Sequence, residues 1–221
     1  MAMTTSRASH FELTVLLQWV QPSIIHTWLS AARQKGWIFS RVPLTATNWE
    51  VEVEFKIHGD GNLHGDGFAM WLTKQRATEG PVFGSADRFD GLGIFFDTYK
   101  NNRPGTSFPY VMAMMGDGQT TYDQAHDGKA NELAGCSARG LRGATIPTKA
   151  RLTYFQDKSL SLDLQYKSED TWNNCFTLTA PDANIAIPSV AYLGFSAETV
   201  LEAARAPVPT VQAAPRMTGH V

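Results

Sequence analysis

Gly91-Leu92-Gly93-Ile94-Phe95-Phe96-Asp97-Thr98-Tyr99-Lys100-Asn101-Asn102 is an apolar run that gives way abruptly to oxygen-bearing side chains. A short, continuous apolar stretch bounded by glycine and polar residues predicts a buried strand. Asp97 marks the point where that strand leaves the core. Asn101 follows on the loop beyond it, and the backbone carbonyl of Tyr99 falls between the two. Hard cations such as calcium take carboxylates, amide oxygens and backbone carbonyls together. The segment therefore reads as half of an ion site mounted on a strand end. Its plain competitor is a polar turn after a core strand.

The flanking sequence repeats the strand pattern. Trp49, Val51, Val53, Phe55 and Ile57 alternate with Glu50, Glu52, Glu54, Lys56 and His58, a period of two that predicts one buried and one wet face. Gly59-Asp60-Gly61-Asn62 reads as a turn, and Phe68–Leu72 as a strand covered on both faces. Tyr110–Met115 is a further strand. Ala150–Phe155 and Leu160–Tyr166, joined by Gln156-Asp157-Lys158-Ser159, predict a hairpin. Cys175–Leu178 and Tyr192–Phe195 complete the series. Many short strands without a long amphipathic helix after residue 40 predict an all-β antiparallel sandwich.

Composition agrees with a sizeable core, at 43% hydrophobic and 11% aromatic in 221 residues. A net charge of -2 without a Lys/Arg block disfavours nucleic acid as a partner. The chain has no transmembrane stretch of about 20 apolar residues. Its two cysteines, Cys136 and Cys175, leave two readings open: buried free thiols, or one disulfide closing a loop of about 40 residues, worth roughly 4 kcal/mol by chain entropy. The apolar run Leu13–Val20 is short for a signal peptide, Glu12 and Pro22 oppose one, and residues 1–33 are expected to form an irregular or helical arm. Residues 200–221, rich in Ala and Pro, are expected to form a disordered tail.

Several loops carry candidate chemistry. In His64-Gly65-Asp66-Gly67 the flanking glycines leave the Asp66 carboxylate accessible to two neighbouring sugar hydroxyls; the alternative is an ordinary turn. In Tyr122-Asp123-Gln124-Ala125-His126-Asp127-Gly128, Asp127 is placed to complete an ion site with Asp97 and Asn101, against the alternative of a solvated loop. No His/Cys cluster has zinc-ligand spacing. Glu50, Glu52 and Glu54 share a strand face with successive Cα atoms roughly 6.5–7 Å apart, which admits a glycosidase carboxylate pair as well as a charged solvent face.

Taken together, these segments resemble the L-type lectin domain of the cargo receptors that carry glycoproteins between the endoplasmic reticulum and the Golgi, relatives of the legume lectins. The resemblance rests on Trp49–Gly59, Leu63–Trp71, Gly80–Ser85, Gly91–Tyr99, Phe108–Tyr110, Tyr122–Asp123, Asp127–Gly128, Glu132–Cys136, Trp172–Cys175 and Tyr192–Ala197. It spans residues 34–199, and its wording is nearest to fungal members. It implies a concanavalin- or legume-lectin-like jelly roll of two antiparallel sheets, incomplete at both ends. It further implies calcium-dependent, non-enzymatic binding of high-mannose glycans in the lumen of the early secretory pathway.

Carried over by motif, the calcium ligands are Asp97, the Tyr99 carbonyl, Asn101 and Asp127. The mannose ligands are Asp66 and Asn101, with Gln124 in a position where the family has histidine. The disulfide is Cys136–Cys175. Gln124 can hydrogen-bond a hydroxyl but cannot titrate, so a histidine-based pH response is not expected. The family's loop after Ser196-Ala197, which donates backbone contacts to mannose, gives way here to Glu198-Thr199 and the tail. A lectin-fold remnant with a structural or protein-binding role is therefore the alternative, alongside a hydrolase using Glu50 and Glu54.

Overall fold

The computed structural model describes residues 35–57 and 65–199, together with the short segments 11–12, 28–29 and 216–218. The strands are β1 (Phe11–Glu12), β2 (Trp28–Leu29), β3 (Lys35–Phe39), β4 (Asn48–Phe55), β5 (Asp66–Thr73), β6 (Glu79–Val82) and β7 (Asp90–Asp97). They continue with β8 (Tyr110–Asp117), β9 (Ala134–Ser137), β10 (Thr148–Phe155), β11 (Ser159–Gln165), β12 (Asn173–Thr179), β13 (Tyr192–Thr199) and β14 (Arg216–Thr218). One sheet has six strands in the order β3-β13-β5-β7-β8-β9, and the other five in the order β12-β11-β10-β4-β14. All pairings within them are antiparallel. Among the described residues, no helix is long and apolar enough to cross a membrane.

The alternation read from Trp49 to Ile57 forms β4. Trp49, Val51, Val53 and Phe55 enter the core between the sheets, where they meet Phe68, Met70, Leu72, Leu92, Ile94 and Phe96 from the six-stranded sheet. Phe68 and Phe96 stack at a centroid distance of 4.3 Å, with Phe55 edge-on to both. The second face of the six-stranded sheet is covered too. Ala69, Trp71, Phe95, Met112 and Met114 pack beneath Val82, Phe83, Phe89 and Tyr122, which come from loops and the short β6. Burial on both faces explains why β5, β7 and β8 read as unbroken apolar runs.

The predicted hairpin is β10–β11, in register from Lys149↔Gln165 to Phe155↔Ser159. Between β3 and β13, three strands were not legible: β3, β6 and β9 are four or five residues long and show no clean alternation. The expected arm over 1–33, the turn at 59–62 and the expected tail over 200–221 lie largely outside the described residues. Within those segments, Phe11–Glu12 pairs antiparallel with Trp28–Leu29, and Arg216–Thr218 pairs antiparallel with Glu50–Glu52. The edge of β4 offers backbone partners that local composition does not announce.

Cys136 on β9 and Cys175 on β12 form a disulfide, which settles the pairing left open by composition. It ties an edge of one sheet to an edge of the other. A Cys136→Ser/Cys175→Ser double variant is expected to lose about 2–4 kcal/mol of stability in urea denaturation, because the cross-link restricts the unfolded chain. An unchanged midpoint would show that the sheets hold together without it.

Candidate functional site

β7 carries Asp97 to the rim of the six-stranded sheet, paired with Gly67 on one side and Tyr110 on the other. The side chain is only 5% exposed. Its Oδ1 accepts the Tyr99 amide at 2.9 Å, closing an Asx turn that redirects the chain towards Asn101. On β5, Gly67 has φ +140, and a Cβ there would lie 2.1 Å from the Phe96 carbonyl oxygen, so only glycine fits. That close approach brings Asp66 beside the exit of β7, where its carbonyl accepts the Thr98 amide at 2.9 Å.

Asp127 arrives from a different part of the chain, between two 3-10 turns at Gln124–His126 and Lys129–Asn131. It adopts left-handed backbone angles (φ 52, ψ 46), as does Gly128 after it. Gly128 leaves no room for a side chain, since a Cβ would stand 2.6 Å from the Tyr122 ring and 2.8 Å from the Met112 sulfur. Asp127 is buried, and both its carboxylate oxygens accept the Asn101 backbone amide at 3.1 Å. The Asn101 side-chain amide donates to Oδ1 at 2.6 Å. The structure thus joins Asn101 and Asp127 directly, 26 positions apart in sequence.

The electrostatics are those of crowded carboxyls. Burial, then Glu198 and Asp127, push Asp66 up to about 6, with Lys35 opposing. Burial also holds Asp97 well above the usual carboxylate range; Asp127 and Asp66 add to the rise, while the Tyr99 amide and Arg103 oppose it. Burial, with Asp97 and Asp127 nearby, keeps the Tyr122 phenol protonated well above its ordinary range. A divalent cation held among these carboxylate oxygens would relieve the rise at Asp66 and Asp97. Their oxygen-only chemistry, joined by the Asn101 carboxamide, suits a hard ion such as calcium.

The other predicted residues are placed differently. Gln124 is exposed, and its side-chain amide donates to the Pro81 carbonyl at 2.6 Å, so its donor is already engaged. His126 turns back to Asp123 at 3.0 Å within its own loop. Glu50, Glu52 and Glu54 lie opposite Thr153, Arg151 and Lys149 of β10, with Arg151 3.0 Å from Glu52 and Lys149 3.8 Å from Glu54. Their side chains form a cross-strand charge ladder on the face of β4 away from the core. Sequence reading missed Arg103, which is buried beside Asp127, and the Lys35–Glu198 pair at 3.2 Å near Asp66. Neither has a local sequence signature.

Burial raises the Asp66 carboxyl in the folded state. In the metal-free protein the folded state holds this proton more tightly than the unfolded chain, so ionised Asp66 destabilises the fold above pH 6 and ceases to do so as pH falls towards 4. Asp66→Asn is expected to raise metal-free stability at pH 7.5 by roughly 1–2 kcal/mol, with the gain vanishing near pH 4. Thermal melts in EDTA across that range check it, and an equal gain at both ends would contradict the crowding.

Residues 20–206 match the model of the legume-like lectin family. An L-type lectin-like domain-containing protein of Schizosaccharomyces pombe is 43% identical over 168 residues, covering 75% of this chain and 52% of that protein. The vesicular integral-membrane protein VIP36 of Mus musculus is 41% identical over 170 residues, covering 75% of this chain and 46% of its own length. The chain thus spans about half the length of the curated relatives it matches. The crystal structure of the VIP36 exoplasmic/lumenal domain in its Ca2+/Man-bound form superposes with a TM-score of 0.72 at 38% identity, covering 77% of this chain and 68% of that one. By sequence and by fold alike, the chain belongs to the legume-like lectin family.

Proposed function

We propose that this domain binds high-mannose glycans on glycoproteins in a calcium-dependent manner, in the lumen of the early secretory pathway, as the lectin part of a cargo receptor. The observation that carries the reading is the convergence of Asp97, Asn101 and Asp127 at one rim of the six-stranded sheet, beside Asp66. Solved VIP36 lumenal domains include Ca2+-bound and Ca2+/Man-bound forms, which supports calcium and mannose as the ligands of this domain.

Asp97, the Tyr99 carbonyl, Asn101 and Asp127 are the residues that would hold calcium. The ion would supply positive charge that offsets the crowded carboxylates and fixes the two loops. Asp66 and Asn101 would then take the sugar: the Asp66 carboxylate accepts hydrogen bonds from hydroxyls, and the Asn101 amide is already oriented by Asp127. Gln124, with its Nε2 held by Pro81, has its Oε1 to offer a hydroxyl proton. A rim of this polar kind gives weak affinity for a single sugar, and several engaged domains strengthen it. Glu50, Glu52 and Glu54 are engaged by a hydroxyl and by cations on β10, an arrangement that disfavours the hydrolase alternative.

On a glycan array, the protein is expected to retain high-mannose structures in calcium and to release them in EDTA. Asp97→Ala is expected to abolish both calcium affinity by calorimetry and glycan retention, a loss of about a hundredfold or more. Calcium-independent retention, or calcium affinity that survives in that variant, would overturn the assignment.

A further inference from the structure

Arg103 is 4% exposed, in the loop that follows β7. One guanidinium nitrogen donates to the Asp127 backbone carbonyl at 3.0 Å and stands 3.6 Å from the Met112 sulfur. The other forms an ion pair with Glu132. The guanidinium carbon lies 4.2 Å over the Tyr110 ring, and the Tyr110 hydroxyl donates to the second Glu132 oxygen at 2.6 Å. Arg103 is therefore clamped on three sides by Tyr110 and Met112 of β8 and by Glu132, which precedes β9.

A buried guanidinium is tolerated only while its charge and donors are matched. Any drift of this loop would separate Arg103 from Glu132 and leave both charges uncompensated. The clamp is thus rigid, and its free arm holds the carbonyl of Asp127. Asp127 in turn holds the Asn101 backbone and side-chain amides through its carboxylate. A continuous chain of contacts runs from the β8 frame through Arg103 and Asp127 to Asn101.

We propose that Arg103 is a positioning residue that holds Asp127 and Asn101 in their ligand-binding arrangement before any cation arrives. It rests on the reading of Asp127 and Asn101 as ligand residues. The consequence is a preformed site. Two loops 26 positions apart would otherwise have to be ordered by the ion itself, and that ordering would weaken its affinity. Arg103 also places a fixed positive charge among the carboxylates, where it opposes the rise at Asp97.

Amide hydrogen exchange of the intact chain in EDTA, resolved by NMR, tests this without calcium. The double variant Arg103→Met/Glu132→Gln removes both charges of the pair and leaves no buried ion unpaired, so the fold is kept while the link to Asp127 is cut. In the parent the Asn101 amide is expected to be protected. In the double variant it is expected to exchange about tenfold faster or more, while amides of β5 and β7 are unchanged. Calcium affinity by calorimetry is expected to fall by a comparable factor, and Tyr110→Phe, which keeps the guanidinium and Glu132, to stay near the parent in both readouts. An Asn101 amide as protected in the double variant as in the parent would overturn the proposal, as would uniform acceleration across β7 and β8. A parent without calcium affinity would instead remove the functional reading, and the exchange data would still decide whether Arg103 positions the loops.

Discussion

The burial of carboxyl groups at the end of β7, with their mutual repulsion second to it, is the constraint around which the site is organised. Asp97 is carried there by a strand whose two faces are both covered, so it cannot retreat into solvent without unpacking Phe95 and Phe96. Asp66 cannot move away, because Gly67 and the Phe96 carbonyl are in close contact. Asp127 is fixed by its left-handed backbone and the packing of Gly128 under Tyr122. Arg103 opposes the rise at Asp97 from within, and in the proposed reading calcium would offset the remaining negative charge.

The sandwich serves this arrangement by providing stiffness. Its core interleaves β4, β10 and β11 with β5, β7 and β8, and a second apolar layer of loop residues lies over the outer side of the six-stranded sheet. Trp71 bridges into that layer, packing edge-on to Phe89 and Phe95 while its indole N–H donates to Ser196 at 2.7 Å. The loop that bears Asp127 and the short strand β6 that bears Pro81 are thus anchored by aromatic packing of Tyr122 and Phe83 close to the polar residues they present. The disulfide performs the same service at the far edges, where β9 and β12 would otherwise be free.

Much of this was legible in the sequence because burial leaves a periodic trace. The alternation of β4 and the unbroken runs of β5, β7 and β8 report one-faced and two-faced burial directly. β3, β6 and β9 left no such trace, being too short for a period to register. Among site residues, Asp97 and Asn101 stood out because a core strand ended in them. Asp66 and Asp127 were candidates with an ordinary turn and a solvated loop as alternatives, and the family resemblance favoured the ligand reading, since their encounter depends on tertiary folding. Arg103 was silent for the same reason: Glu132, its ion-pair partner, is 29 positions away, and nothing local distinguishes it from a solvated arginine. Gln124, read as able to hydrogen-bond a sugar hydroxyl, has its Nε2 donating to the Pro81 carbonyl, a contact between segments 43 positions apart that no local pattern signals.

Anomalous scattering from a crystal grown with calcium and a mannose disaccharide tests the central claim most directly. The account predicts one strong peak about 2.3–2.6 Å from the carboxylate oxygens of Asp97 and Asp127, the Asn101 side-chain oxygen and the Tyr99 carbonyl, with sugar density against Asp66 and Asn101. Sugar bound elsewhere on the sandwich, or a rim that takes up no ion at millimolar calcium, would contradict it.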